Sequence, residues 1–202
     1  MVAAINSFEE TVDALMRGQT AIFPTDTVYG IGVAIGCASA PDILFELKRR
    51  EPGKPVAWLI GSLDDLERYG TGVPSFAHNL ARAFWPGPLT LVVKASTLVP
   101  AAFQSAEGTI GLRMPDCETT RQLISAVGCP LATTSANFSG KPAADSYSEV
   151  DPELAALVPA VLGDNDDSAK SGVASTVIDC TGAHPRMLRE GAISLSDARA
   201  CL

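Results

Sequence analysis

No run of eighteen apolar residues occurs in this chain, which excludes a membrane-spanning helix on length and leaves membranes out of its expected partners. Histidine is nearly missing. His78 and His184 are the only two, and neither stands near a cysteine or carboxylate at metal-ligand spacing, so a zinc site and a histidine-based triad are both disfavoured. The five cysteines (Cys37, Cys117, Cys129, Cys180, Cys201) are odd in number and contain no C-x-x-C pair. The opening Met1-Val2-Ala3-Ala4 soon meets Glu9 and Glu10 instead of a basic, long apolar leader, and together these features point to a reduced, cytoplasmic setting. Positive charge is scarce as well: 15 Lys and Arg face 23 Asp and Glu, for a formal net charge of -8. A surface of that sign is a poor match to nucleic acid, so RNA contact is expected to be weak and local.

Against that scarcity, Lys48-Arg49-Arg50-Glu51-Pro52-Gly53-Lys54 gathers four cations in one short segment. Such a cluster repels itself unless an anion sits among its members, which marks it as a candidate phosphate or carboxylate site. The plain alternative is a solvated complement to a helix end, worth roughly a few tenths of a kcal/mol.

With 202 residues, 47% hydrophobic and 19% charged, the chain has the makings of one core and one domain spanning 1–202. Ser7 and Glu10 form a capping box ahead of Phe8, Val12, Leu15 and Met16, closed by Gly18. The run Thr20 to Phe23 reads as a strand stopped by Pro24, which places Thr25, Asp26, Thr27, Tyr29 and Gly30 at its end. Ser39 is read as the cap of a helix that delivers Lys48 and Arg50 at its last turn. Further strands are expected at 56–60, 89–94, 109–113, 131–134 and 175–179, and helices at 63–69, 75–84, 117–127 and 194–202. This order gives a mixed α/β protein. The polar, glycine-bounded stretch 163–172 reads as a mobile surface loop.

Two familiar phosphate motifs fail on spacing. Gly30-Ile31-Gly32 opens like a dinucleotide fingerprint, but the third glycine is Gly36 where the motif requires position 35, which is Ile35. Ser139-Gly140-Lys141 resembles the end of a P-loop, yet Ser135 stands at the upstream glycine position and Pro142 follows the lysine. What remains is a series of polar strand-end segments: Thr25-Asp26-Thr27, the 48–54 cations, Thr109 to Arg113, Thr133 to Asn137, Ser175-Thr176 and Arg189. Singly, each is more often a turn than a site.

Their joint order carries a resemblance. PTDTVYGIG at 24–32, KRREPGKPV at 48–56, FWPGPLTLV at 84–92, TIGLRMP at 109–115, ATTSANFSGKP at 132–142, SGVASTVID at 171–179 and LREGAI at 188–193 closely resemble the YrdC-like family of threonylcarbamoyl-AMP synthases across almost the whole chain. The resemblance implies a twisted, mixed β-sheet wrapped by helices around a large cavity, in the short, single-domain form. It also implies an enzyme that makes threonylcarbamoyl-AMP and pyrophosphate from L-threonine, bicarbonate and ATP, with Mg2+ on the phosphates. The product would pass to tRNA threonylcarbamoyl-transfer proteins.

Residue by residue, Lys48 and Arg50 would hold bicarbonate or carbamate and the triphosphate and serve as the catalytic cations, with Lys54 against the nucleotide. Arg113 would take the threonine carboxylate, with Thr27, Thr133 and Ser175 around the amino acid. Thr109, Ser135, Asn137 and Arg189 would contact ATP. Arg49 matches no family role and reads as solvent-facing. Three positions depart from the family pattern: Leu59 stands where many relatives carry histidine near threonine, Ala143 where serine is frequent, and Glu51 where proline is common. Leu59 keeps open a paralogue of the same fold with altered substrate. A non-catalytic RNA-binding module is the other alternative.

Overall fold

The first helix forms as its capping box dictates: Glu10 N donates to Ser7 Oγ at 3.1 Å and Ser7 N donates back to Glu10 Oε2 at 2.8 Å. The computed structural model describes residues 5–49, 56–163 and 170–201. Along them run α1 (Phe8–Met16), β1 (Ala21–Phe23), β2 (Gly30–Ala34), α2 (Asp42–Leu47), β3 (Ala57–Leu59), α3 (Asp65–Tyr69), α4 (Ser75–Phe84) and β4 (Leu89–Lys94). They continue with β5 (Thr109–Arg113), α5 (Glu118–Val127), β6 (Leu131–Ser135), α6 (Pro152–Ala156), β7 (Ala160–Val161), β8 (Thr176–Asp179), β9 (Arg186–Arg189) and α7 (Leu195–Arg199).

The nine strands form one sheet in the order β7-β1-β2-β6-β3-β5-β4-β8-β9, with β1–β7, β3–β5 and β4–β8 parallel and the other pairs antiparallel. The expected mixed α/β architecture is the one observed. Alternate residues separate its two faces. Ile22, Ile31, Val33, Trp58, Leu91, Leu112 and Ala132 point into the larger core, where Tyr69 and Phe103 meet the Trp58 ring edge-on at 5.2 and 5.9 Å. On the other face, Phe23, Leu59 and Leu131 join Leu15 of α1 and Leu123 and Ile124 of α5 in a smaller cluster.

Two local readings change. The second helix starts at Asp42 behind Pro41, without a side-chain cap, and not at Ser39. Pro41 has a preset φ and no N–H to satisfy, so the first turn begins after it. Gly30, placed at the end of the first strand, instead opens a strand of its own: Gly30-Ile31-Gly32 lies in β2, between β1 and β6. A Cβ on Gly32 would lie 2.8 Å from both the Ala132 carbonyl and Thr133 Oγ1, and one on Gly30 would lie 2.8 Å from Thr133 Cγ2. These glycines permit close packing against β6.

Cysteine reactivity follows from burial. Desolvation pushes the Cys180 thiol up to about 12 and the Cys129 thiol to about 11, the latter helped by neighbouring Cys37, while Cys37 is exposed. A raised pKa leaves less of the nucleophilic thiolate at pH 8. Peptide mapping after iodoacetamide treatment of native protein is therefore expected to find Cys37 modified first and Cys180 only after unfolding. Early labelling of Cys180 would contradict this burial.

Candidate active site

The sheet makes its own hollow. Antiparallel and parallel register set Gly32, Thr133, Ala57, Gly111, Val92 and Asp179 in one cross-strand row. Three of these six residues are glycine or alanine, so the face they share is left unfilled on that side of the sheet. The result is a cavity of about 750 Å³ floored by Ala57, Gly111 and Thr133 and bordered by Val92 and Asp179. Beside this row, Leu59 pairs with Arg113, and both line the cavity.

Arg113 is 6% exposed and held on three sides. Its Nε donates to the Gly87 carbonyl at 3.2 Å, Nη1 to Thr27 Oγ1 at 3.0 Å and Nη2 to Asp26 Oδ1 at 2.5 Å. Burial lowers the guanidinium pKa from its ordinary value, Asp26 opposes that shift, and the positive charge of Arg189 adds to it. The Thr27 hydroxyl is fixed in turn against Thr25 Oγ1 at 3.1 Å, and Thr25 donates to the Val28 carbonyl at 2.6 Å. This is the strand-end turn anticipated after Pro24.

On the far wall, Ser175 is buried with its Oγ 2.9 Å from Thr90 Oγ1. Arg189 donates from Nε to the Ser175 carbonyl at 3.0 Å and from Nη2 to Ser175 Oγ at 3.1 Å. Burial lowers the Arg189 pKa from its ordinary value. Thr109 lines the same cavity, its hydroxyl 2.8 Å from Ser105 Oγ. Thus Thr27, Arg113, Thr133, Ser175, Thr109, Ser135 and Arg189, from separate stretches of sequence, all line one hollow.

Lys48 and Asn137 sit behind that lining. Lys48 is 3% exposed, and its ammonium donates to the Ser135 carbonyl, to the Asn137 carbonyl at 2.5 Å and to Asn137 Oδ1 at 3.1 Å. Ser135 Oγ donates to the same Asn137 Oδ1 at 2.5 Å. The helix-end lysine therefore braces the 135–137 turn from within the fold; it is no solvated dipole complement. Asn137 faces a smaller hollow of about 410 Å³ that shares Ala143 with the larger one. Arg50 and Lys54 lie outside the described residues, as does most of the 163–172 loop. Arg49 is exposed as expected but not idle: it pairs with Glu153 and lies over the Phe138 ring at 4.7 Å.

Sequence reasoning placed Asp26 in a candidate segment without giving it a role, and missed Thr90. Both lay inside matched segments. Strand alternation on Leu89–Lys94 would have put Thr90 on the same face as Val92.

Fold and cavity define a mixed-sheet α/β protein with an arginine- and hydroxyl-lined hollow on one sheet face. The Sua5/YciO/YrdC family model, described as "Telomere recombination", matches residues 13–191, and the chain belongs to this family. It is 39% identical over 183 residues to the putative threonylcarbamoyl-AMP synthase of Mycobacterium tuberculosis, covering 91% of this chain and 83% of that one. To the threonylcarbamoyl-AMP synthase of Pyrococcus abyssi it is 36% identical, again over 91% of this chain, and it spans about half (53%) of that longer relative. The crystal structure of P. abyssi Sua5 complexed with L-threonine superposes with a TM-score of 0.89 at 33% identity, over 100% of this chain and 59% of that one. These relatives carry the name of a nucleotidyltransferase-type enzyme.

Proposed function

We propose that this chain is an L-threonylcarbamoyladenylate synthase. The observation that carries the reading is Arg113: a buried guanidinium lining a cavity that Thr27, Thr133 and Ser175 also line suits a small amino acid held by its carboxylate. Relatives named for this activity, one of them crystallised with L-threonine, support the same substrate.

In the proposed reaction the threonine amine and bicarbonate give a carbamate and water. A carbamate oxygen then attacks the α-phosphorus of ATP in line with departing pyrophosphate, so the protein's work is alignment and charge neutralisation. Thr109, Ser135 and Arg189 supply the nucleotide side of the cavity, with Asn137 behind Ser135. By family resemblance, Lys48, Arg50 and Lys54 take the bicarbonate and triphosphate oxygens. For Lys48 this requires its ammonium to turn from the 135–137 carbonyls toward the ligand. Mg2+ enters with ATP as part of the substrate, and the labile product passes to proteins that threonylcarbamoylate tRNA in the cytoplasm.

The test is pyrophosphate release by purified protein given ATP, labelled bicarbonate and L-threonine. Release that requires threonine, with label appearing in an adenylate, is the expected result; absent or threonine-independent release would sink the proposal. One observation favours a second reading. Leu59 places an apolar side chain beside Arg113 in the cavity, so a paralogue acting on a different amino acid is tested by offering serine, valine and alanine in the same assay.

A further inference from the structure

We infer that Asp26 is a positioning residue for Arg113 and thereby sets the affinity of the cavity for an amino-acid carboxylate; this rests on the reading of the cavity as a threonine site. Three of the five guanidinium N–H groups are directed to protein acceptors: Nε to Gly87, one Nη1 hydrogen to Thr27 and one Nη2 hydrogen to Asp26. Among the described residues, no acceptor takes the other N–H on each terminal nitrogen. That pair is the fork that meets both oxygens of a carboxylate, provided the guanidinium plane is fixed.

Asp26 supplies the fixing. Its side chain is 12% exposed, it does not line the cavity, and its Oδ1 holds Nη2 at 2.5 Å. The other oxygen, Oδ2, is buried and has no hydrogen-bond partner among the described residues. A carboxylate kept only for stability would satisfy both oxygens, because each unpaired one carries a desolvation cost. Asp26 accepts that cost in a place dictated by Arg113. Since Oδ2 is shielded, that oxygen is not available to a substrate amine in this arrangement. Asp26 also supplies the counter-charge where two guanidiniums, Arg113 and Arg189, influence each other.

The variants D26A and D26N separate orientation from mere folding. In the pyrophosphate assay, D26A is expected to raise KM for threonine about tenfold or more, with kcat and KM for ATP changed by less than about threefold. D26N, whose amide oxygen still accepts the Nη2 hydrogen, is expected to return most of that loss. In ligand-free protein, the Nη resonances of Arg113 in 15N NMR should be resolved for wild type and averaged by rotation in D26A. Unchanged KM in folded D26A, or unaltered Arg113 resonances, would overturn the inference. If D26A does not fold, D26S, which admits water beside the guanidinium, is judged by the same criteria. If wild type shows no threonine-dependent turnover, the synthase reading fails by itself. The NMR comparison then still decides the role of Asp26: averaged resonances uphold its hold on Arg113, and unchanged ones reject it.

Discussion

Replacing Arg113 by alanine is expected to reduce threonine-dependent pyrophosphate release at least about 100-fold, the equivalent of roughly 3 kcal/mol of lost charge-assisted hydrogen bonding. The guanidinium is the cationic fork in the cavity, and neither the neighbouring Thr27 hydroxyl nor that of Ser175 on the far wall can neutralise a carboxylate in its place. Lysine would keep the charge but not the planar geometry, so R113K should recover only a small part of the activity. Alanine also strands Asp26 as a buried carboxylate without its partner, a situation that costs about 3–5 kcal/mol. Loss of activity in R113A alone could therefore reflect unfolding. The double variant R113M/D26N removes both charges at similar volume and should melt close to wild type while remaining inactive. Wild-type turnover in that double variant would remove Arg113 from the site altogether.

Much of the scaffold could be read directly from residue pattern. Leu89–Lys94 is a β-branched, apolar-rich run and Thr109–Arg113 puts Ile110 and Leu112 between Thr109, Gly111 and Arg113, and both strands occupy the anticipated positions. The capping box at Ser7 is local chemistry and needs no tertiary information. What could not be read is what depends on register. Ala160–Val161 is too short to show a period, and Arg186–Arg189 is a mostly exposed edge strand whose polar ends hide it. Spacing ruled out a dinucleotide fingerprint at Gly30 and Gly32 but offered no other role, because theirs, admitting Thr133 and Ala132 to close contact, appears only once β2 lies against β6.

The same division holds at the site. Arg113, Ser175 and Thr109 stood out as polar residues at strand ends, and they do line one cavity. The partner of Arg113 is 87 positions away, and that of Lys48 is a pair of backbone carbonyls whose direction no sequence pattern reports. Side-chain type is written in the chain; the identity of a long-range partner is set by strand order.

Gly191 gives the sharpest test of that last dependence. It lies in the LREGAI segment two residues after Arg189, and a Cβ there would fall 2.1 Å from the Ala174 carbonyl oxygen and 2.7 Å from both Ser175 C and Thr176 N. All three obstacles are backbone, so no rotamer change relieves them. The G191A backbone must move away from 174–176, breaking the bonds from Gly191 N to Thr176 Oγ1 at 3.0 Å and from Ala192 N to the Ala174 carbonyl at 3.2 Å. Overpacking of this kind costs about 1–3 kcal/mol or more, which in a chain of this length lowers Tm by roughly 2–4 °C per kcal/mol. The movement also carries Ser175 away from Thr90 and from both of its contacts with Arg189. A displacement of about 1 Å at such a wall can reduce turnover about 100-fold, even though the substituted residue does not touch the substrate. Gly61→Ala is the control: its Cβ would meet only Ile124 Cγ2 at 3.4 Å, so Tm should stay within the change expected from about 0.5 kcal/mol. Thermal melts and the pyrophosphate assay on both variants decide the matter. A G191A protein with wild-type Tm and turnover would mean that the close approach of 191 to 174–176 does not hold the Ser175–Arg189 wall in place.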